Sequence, residues 1–341
     1  MTNHSAPILI IGAGQAGATA ASTLRSLGHR GRIVIVGNEP RPPYERPPLS
    51  KAVLTDAAMD DKIGIHPAGF HSDNAIDLRL GVRVSSLDPS NAIAHCSDGQ
   101  SIPFSHALIA TGGSARTLGT APPGTPRVHY IRTLSDAQTL RAALQSETSL
   151  TVLGGGFLGL EVATTTRSMG LKVTVIEPAS RVLARAVPES LSRWLAARAD
   201  HAGVDLRLGV NCEAIEPTAG HIALSLGDGS IHRASLLLVA IGQIPEVALA
   251  AASGLALHPQ TGGIRVDAKY RTSAPNIFAA GDCTSQHLPL MGEELRLESW
   301  QNANEQARIA AAAMIGATTE AAATAWFWTD QFCCNIQKVG M

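Results

Sequence analysis

The sequence predicts an α/β protein made of two parallel-sheet units in tandem, and three observations carry that reading. An apolar run, Ile8-Leu9-Ile10-Ile11, leads into the turn Gly12-Ala13-Gly14-Gln15-Ala16-Gly17 and then an alanine-rich stretch through Leu27. The same order returns in Leu150-Thr151-Val152-Leu153, Gly154-Gly155-Gly156-Phe157-Leu158-Gly159 and the stretch from Leu160 to Met169. Each unit later closes on an apolar run ending in a glycine, at Ala110-Thr111-Gly112 and at Ala240-Ile241-Gly242. Short apolar runs bounded by glycine read as buried strands, and the longer stretches behind them as helices. Strand, G-x-G-x-x-G turn and helix in that order make a Rossmann-like, dinucleotide-binding unit.

In the first unit Gly12 begins the tight turn, Gly14 lets the backbone approach a pyrophosphate, and Gly17 lets helix and strand pack closely. The helix N-terminus then offers free N–H groups to the phosphate charge. Ile33-Val34-Ile35-Val36 is the second strand, and Glu39 just beyond it is placed to hydrogen-bond a ribose hydroxyl. Gly81-Val82-Arg83-Val84 reads as a further strand, and Asp98-Gly99 as the hairpin of a β-meander insertion. Much later, Asn276-Ile277-Phe278-Ala279-Ala280-Gly281-Asp282 is an apolar strand that stops at Gly-Asp. It sets the Asp282 carboxylate at the carboxyl edge of a parallel sheet, where it can bond a ribityl hydroxyl; the alternative is a helix N-cap.

The second unit repeats the plan. Val173-Thr174-Val175-Ile176 ends at Glu177, a second ribose acid, and Gly203-Val204-Asp205-Leu206 and the turn Gly227-Asp228-Gly229 follow before the closing strand. Two such folds in one chain call for two nucleotides side by side.

Composition narrows the class. With 341 residues, 45% of them apolar, the chain suffices for two or three domains with ordinary cores. A net charge of −1 gives no reason to expect nucleic acid or an anionic membrane surface as partner. The stretch from Ala303 to Ala325 carries Glu305, Arg308 and Glu320 and is too weakly apolar to span a bilayer. No basic leader with a cleavage site precedes the first strand, so a cytoplasmic protein is expected. The five cysteines show no C-x-x-C spacing and most read as small core residues; the twelve histidines form no ligand motif, and no metal is expected.

Four further segments add a resemblance. They are Pro43-Tyr44-Glu45-Arg46-Pro47-Pro48-Leu49-Ser50-Lys51, Tyr130-Ile131-Arg132-Thr133-Leu134-Ser135-Asp136-Ala137, Leu297-Glu298-Ser299-Trp300-Gln301-Asn302-Ala303 and Trp326-Phe327-Trp328-Thr329-Asp330-Gln331-Phe332. With them the sequence resembles the FAD-dependent pyridine nucleotide-disulfide reductase superfamily, and within it the NADH-dependent ferredoxin reductases of bacterial oxygenase systems. The resemblance implies an FAD-binding domain in residues 1–112 and 243–315, an NAD-binding domain in 113–242, and in 316–341 the truncated beginning of a C-terminal α+β domain.

It implies FAD contacts from Gly12, Gly14, Ala16, Gly17, Glu39, Lys51, Val84, Thr111, Gly112, Arg132, Gly281, Asp282 and Trp300. Gly154, Gly156, Gly159, Glu177 and Gly242 are implied for NAD. Lys51 is expected near flavin N5, paired with Glu161, the alternative being two separate surface charges; Pro47 is expected to pack on the isoalloxazine ring. The helix after Ser299 would aim its positive end at the flavin pyrimidine. Glu177 favours NADH by repelling a 2′-phosphate, whereas Arg181 and Arg185 argue for NADPH.

Superfamily members that exchange disulfides carry a cysteine pair near the segment ending at Lys51, but this chain has no cysteine before Cys96. Electrons cannot then leave by thiol-disulfide exchange. The expected function is transfer from NADH through FAD to a [2Fe-2S] ferredoxin or rubredoxin serving an oxygenase, a P450 or a ring-hydroxylating dioxygenase, by a monomer or weak dimer. An NADH oxidase or quinone reductase, and an NADH-sensing flavoprotein, are the alternatives. Packing explains Trp300, Trp326 and Trp328 better than an electron relay does. Departures from the family pattern are Glu246, where Asn is usual, and Cys333-Cys334.

Overall fold

The computed structural model describes residues 6–218, 220–289, 291–318 and 325–340. Two five-stranded parallel sheets organise it. The first runs, in spatial order, Ile277–Ala279, His106–Ile109, Ile8–Ile11, Ile33–Gly37 and Ile76–Leu80. The second runs Val204–Leu208, Lys172–Glu177, Ser149–Leu153, Leu237–Val239 and Val128–His129. Their central strands are apolar at successive positions because both faces are covered, so alternation would put polar groups in the core. Leu9, Ile10, Val34, Ile35, Leu108 and Ile109 are all fully buried.

One face of the first sheet is covered by the first cradle helix, Gln15–Ser26, and the long helix Trp300–Met314. Ala16, Ala20, Ala303, Ala307 and Ala310, small side chains that let two helices share one sheet face, lie in one buried cluster, and Gln15 and Thr19 donate to Asn304 across the pair. The antiparallel meander Val84–Asp88, Ile93–Cys96 and Ser101–Pro103 covers the other face. In the second unit the helices are Leu134–Leu144, Phe157–Ser168 and Glu189–His201, and the meander is Cys212–Pro217, Ile222–Leu226 and Ile231–Ala234. A two-stranded antiparallel crossing, Gly113–Ala115 with Gln243–Pro245, joins the units. The terminal hairpin, Trp326–Gln331 with Cys334–Val339, packs Phe332 into the core of the second unit. Of the 316–341 segment, residues 319–324 and 341 lie outside the described residues.

The expected α/β class is the observed one. Two local readings are corrected. The outer strand of the first sheet is Ile76–Leu80, an alternating edge strand, and Gly81 ends it with a φ of +69°; Val84 instead opens the meander. Both cradle helices also begin before the last fingerprint glycine, at Gln15 and Phe157, so Gly17 and Gly159 lie within their first turns.

Candidate active site

The two fingerprint turns divide labour among their glycines in the same way. A Cβ at Gly12 stands 2.1 Å from the Ala110 carbonyl oxygen, and one at Gly17 stands 2.0 Å from that of Gly12. In the second turn the same distances are 2.4 Å for Gly154 from Ala240 and 2.0 Å for Gly159 from Gly154. Packing requires all four outer glycines without any ligand, and Gly12 and Gly154 are held besides at φ of +120° and +108°. Gly14 and Gly156 have nothing within 4 Å of the Cβ position. Each faces open space at the start of a helix without a side-chain cap, the arrangement that receives a pyrophosphate. Gly242 is also open at its Cβ position, with a φ of +103°.

The two expected ribose acids follow their second strands and are held differently. Glu39 Oε1 accepts from Arg46 Nη2 at 2.8 Å, and Oε2 from the Tyr44 hydroxyl at 2.5 Å. Arg46 also donates to the Arg132 carbonyl oxygen, and the Leu134 N–H donates to Tyr44 at 2.9 Å. Burial pushes the Tyr44 hydroxyl up to about 12. Glu177 is held by its own surroundings: Oε2 accepts the Gly155 N–H at 2.7 Å and Oε1 the Ala179 N–H at 2.8 Å. Arg181 donates to the carbonyls of Val187 at 3.0 Å and Ala184 at 2.6 Å, so its guanidinium is tied to its own loop, while Arg185 is exposed.

Asp282 is no helix cap, because the strand Thr284–Leu288 follows it. Its Oδ2 accepts from Arg132 Nη2 and Gln243 Nε2, both at 3.1 Å. Gly112 and Gly281 border this cluster with φ values of +69° and +89°, and a Cβ on Gly112 would lie 3.2 Å from Arg132 Nη2. Thr111 donates to the Glu246 carbonyl oxygen at 2.6 Å, so Glu246 participates through its backbone. Burial draws the Arg132 guanidinium below its ordinary value, with Asp282 opposing.

Sequence reasoning missed a buried chain of amides behind Gly281. The Gln306 side-chain oxygen accepts the Gly281 N–H at 2.7 Å and the Thr284 hydroxyl at 2.8 Å. Gln306 Nε2 donates to Asn302 at 3.1 Å, Gln286 Nε2 donates to the same oxygen at 3.3 Å, and the Tyr270 hydroxyl donates to Gln286 at 2.6 Å. The signal was the i, i+4 spacing of Asn302 and Gln306 on an otherwise alanine-lined helix face.

Lys51 follows the short 3-10 turn Pro47–Ser50 and lies 2.8 Å from Glu161 Oε2, donating also to the Pro47 carbonyl at 3.2 Å. The expectation of a pair thus matches the geometry, and the two are not separate surface charges. Glu161 is only 8% exposed, on the cradle helix of the second unit. Trp300 opens its helix behind the Ser299 cap and meets Trp328 edge-on at 5.7 Å, with Trp326 stacked on Trp328 at 5.2 Å. The Val84 side chain is buried in the core under the meander.

All five cysteines are free. Only Cys96 and Cys283 are buried, and Cys333 is exposed at the hairpin turn, so the expectation that most are core residues is corrected. Burial raises the Cys283 thiol, which disfavours a thiolate beside Asp282. Among the described residues no group of three His, Cys, Asp or Glu is placed to hold a metal, and no helix is long and apolar enough to cross a membrane.

The residues fit two dinucleotides. Besides the open glycines and uncapped helix ends, Gln15 Oε1, Arg132 Nε and Arg296 Nε are buried without partners. All three belong to the first cradle and the Asp282 cluster, where a polar ligand can satisfy them. Two such cradles, with a half-buried ion pair spanning their units, define an oxidoreductase that uses two nucleotides. The chain belongs to the pyridine nucleotide-disulphide oxidoreductase family, which residues 6–307 match.

Among its relatives, the ferredoxin–NAD(+) reductase component of the anthranilate 1,2-dioxygenase system of Burkholderia cepacia is 40% identical over 336 residues, covering 98% of this chain and 82% of that protein. The rubredoxin–NAD(+) reductase of Pseudomonas putida is 37% identical over 334 residues, covering 98% of this chain and 86% of that protein. In the solved covalent putidaredoxin reductase–putidaredoxin complex, a chain 34% identical superposes with a TM-score of 0.94 over 99% of this chain and 82% of that one.

Proposed function

We propose that the protein is an NADH-dependent flavoprotein reductase that delivers electrons to a ferredoxin or rubredoxin serving an oxygenase. The observation that carries this reading is the Lys51–Glu161 pair, joining a segment beside the first cradle to the helix of the second, with no cysteine in that segment. Bound FAD supplies the conversion of a hydride from NADH into electrons released one at a time.

The chain's own residues do the rest. The N–H groups at Gly14 and Gly156 bind the two pyrophosphates, with Gly12, Ala16, Gly17, Gly154 and Gly159 shaping the turns. Glu39 and Glu177 orient the riboses, and Asp282, held by Arg132 and Gln243, fixes the ribityl side of the flavin. Lys51, stabilised by Glu161, would hold a positive charge toward the flavin, while Pro47 would pack on the isoalloxazine ring and Trp300 would contact the flavin. The N-terminus of the Trp300–Met314 helix offsets negative charge on the pyrimidine. Glu177 selects NADH, and Arg181, spent on loop carbonyls, leaves a 2′-phosphate without that partner.

Residues 1–112 with 243–315 form the flavin domain and 113–242 the NAD domain on this reading. The acceptor is a [2Fe-2S] ferredoxin or a rubredoxin, and the enzyme works in the cytoplasm as a monomer or weak dimer. The test is NADH-driven cytochrome c reduction with and without added ferredoxin or rubredoxin. Strong dependence on the carrier supports the reading; rapid NADH consumption in air without a carrier overturns it in favour of an oxidase.

A further inference from the structure

The Glu161 carboxylate is held by more than Lys51. Its Oε2 also accepts the Ser50 hydroxyl at 2.6 Å, and its Oε1 accepts the Thr329 hydroxyl at 2.7 Å. Thr329 lies on the terminal hairpin and is 1% exposed. Its hydroxyl carries a single proton, and Gln331 Nε2 donates to its oxygen at 3.0 Å. The remaining proton therefore points at Glu161. Ser50 is fixed in turn, because its carbonyl oxygen accepts the Thr165 hydroxyl at 2.8 Å from the same helix that bears Glu161. Three chain segments thus converge on one buried carboxylate: the flavin-side turn, the cradle helix of the second unit and the terminal hairpin.

We propose that Thr329, oriented by Gln331, is a positioning residue that locks Glu161 against Lys51 and so sets the charge presented to the flavin edge. A carboxylate gripped at only one oxygen can rotate about its terminal torsion, which is broad and two-fold. Gripped at both oxygens, it offers Lys51 one fixed partner. The terminal hairpin is then part of the redox apparatus, with Thr329 acting through Glu161. The inference rests on the reading of Lys51 and Glu161 as the flavin-side pair.

The experiment uses purified full-length holoenzyme and measures the flavin midpoint potential and the stopped-flow rate of flavin reduction by NADH. T329V keeps the shape and removes the donor. It is expected to shift the potential and slow reduction about tenfold, the worth of one hydrogen bond to a charged group, while T329S restores both. In the double variant T329V/E161Q the potential is expected to equal that of E161Q alone, since a residue that acts through Glu161 has nothing left to position.

Should T329V not fold, Q331L makes the same test by releasing the Thr329 rotor, with a smaller shift in the same direction. An E161Q effect with unchanged T329V and Q331L values, or effects that add in the double variant, overturns the role of Thr329 and leaves the Lys51–Glu161 reading standing. An E161Q protein with unaltered potential and rate overturns both.

Discussion

Replacing Gly156 by alanine separates ligand binding from folding, because the structure gives this glycine no packing duty. Its φ of −81° and ψ of −174° lie where alanine is comfortable, and the added methyl has no neighbour within 4 Å. Folding stability is expected to stay within about 0.5 kcal/mol of the parent. The methyl instead stands where the NADH pyrophosphate must approach the N–H groups. Losing one charge-assisted hydrogen bond costs about 1.5–3 kcal/mol, which is roughly a ten- to hundredfold weaker Kd. G159A supplies the contrast. Its Cβ falls 2.0 Å from the Gly154 carbonyl oxygen, a backbone atom that cannot swing aside, and overpacking of that kind costs about 1–3 kcal/mol or more. Thermal unfolding by circular dichroism measures the first quantity, and a rapid-kinetics titration of the flavin with NADH measures the second. If G156A binds NADH as tightly as the parent, the pyrophosphate does not pass Gly156 and the assignment of the second cradle is wrong.

Other perturbations test the remaining parts. E177R, with a neutral residue beside it, removes the carboxylate that repels a 2′-phosphate, and the NADH-to-NADPH ratio of kcat/KM is expected to fall about a hundredfold; an unchanged ratio means that Glu177 does not face the ribose. K51A is expected to slow flavin reduction at least about tenfold in a protein that still unfolds cooperatively, because Ser50 and Thr329 continue to satisfy Glu161; normal stopped-flow reduction removes Lys51 from the mechanism. Tyr44 makes stability depend on alkaline pH. Its hydroxyl holds its proton up to about 12 in the folded chain against 10.0 when free, so the unfolded chain loses the proton first. The stabilisation is complete below pH 10 and is lost as pH rises toward 12, at about 1.4 kcal/mol per pH unit. Urea unfolding of the parent and Y44F across this window should diverge in slope by that amount, and parallel curves would refute the assignment.

What could be read from the sequence was what local backbone chemistry dictates. The outer glycines of each turn are forced by carbonyl oxygens near 2 Å, so their spacing is rigid and shows as a motif. Lys51 and Glu161 came forward through segments whose resemblance is local, although their contact is long-range. The partners of that contact stayed hidden. A serine two residues past a proline pair and a threonine next to Trp328 signal nothing until the fold brings both to one carboxylate. The amides Asn302 and Gln306 left only their i, i+4 spacing as a trace, and Gln286 on its strand left none. The misplaced strand at Gly81 has the opposite cause. Val82 and Val84 drew attention from Ile76-Asp77-Leu78-Arg79-Leu80, whose alternation is the mark of a half-exposed edge strand.

The repeat within the chain also shows where two copies of one packing solution part company. Their turns match to a few tenths of an ångström, yet the acids that follow are tethered to different things. Glu39 is bound by Arg46 and Tyr44, which reach on to the backbone at residues 132 and 134, so its orientation depends on contacts that cross between the units. Glu177 leans only on the N–H groups of Gly155 and Ala179. On the proposed assignment, releasing the flavin disturbs the tie between the units, whereas releasing the nicotinamide nucleotide disturbs one turn and its neighbour. A cofactor that stays through every cycle and a substrate that leaves in each one ask for that difference.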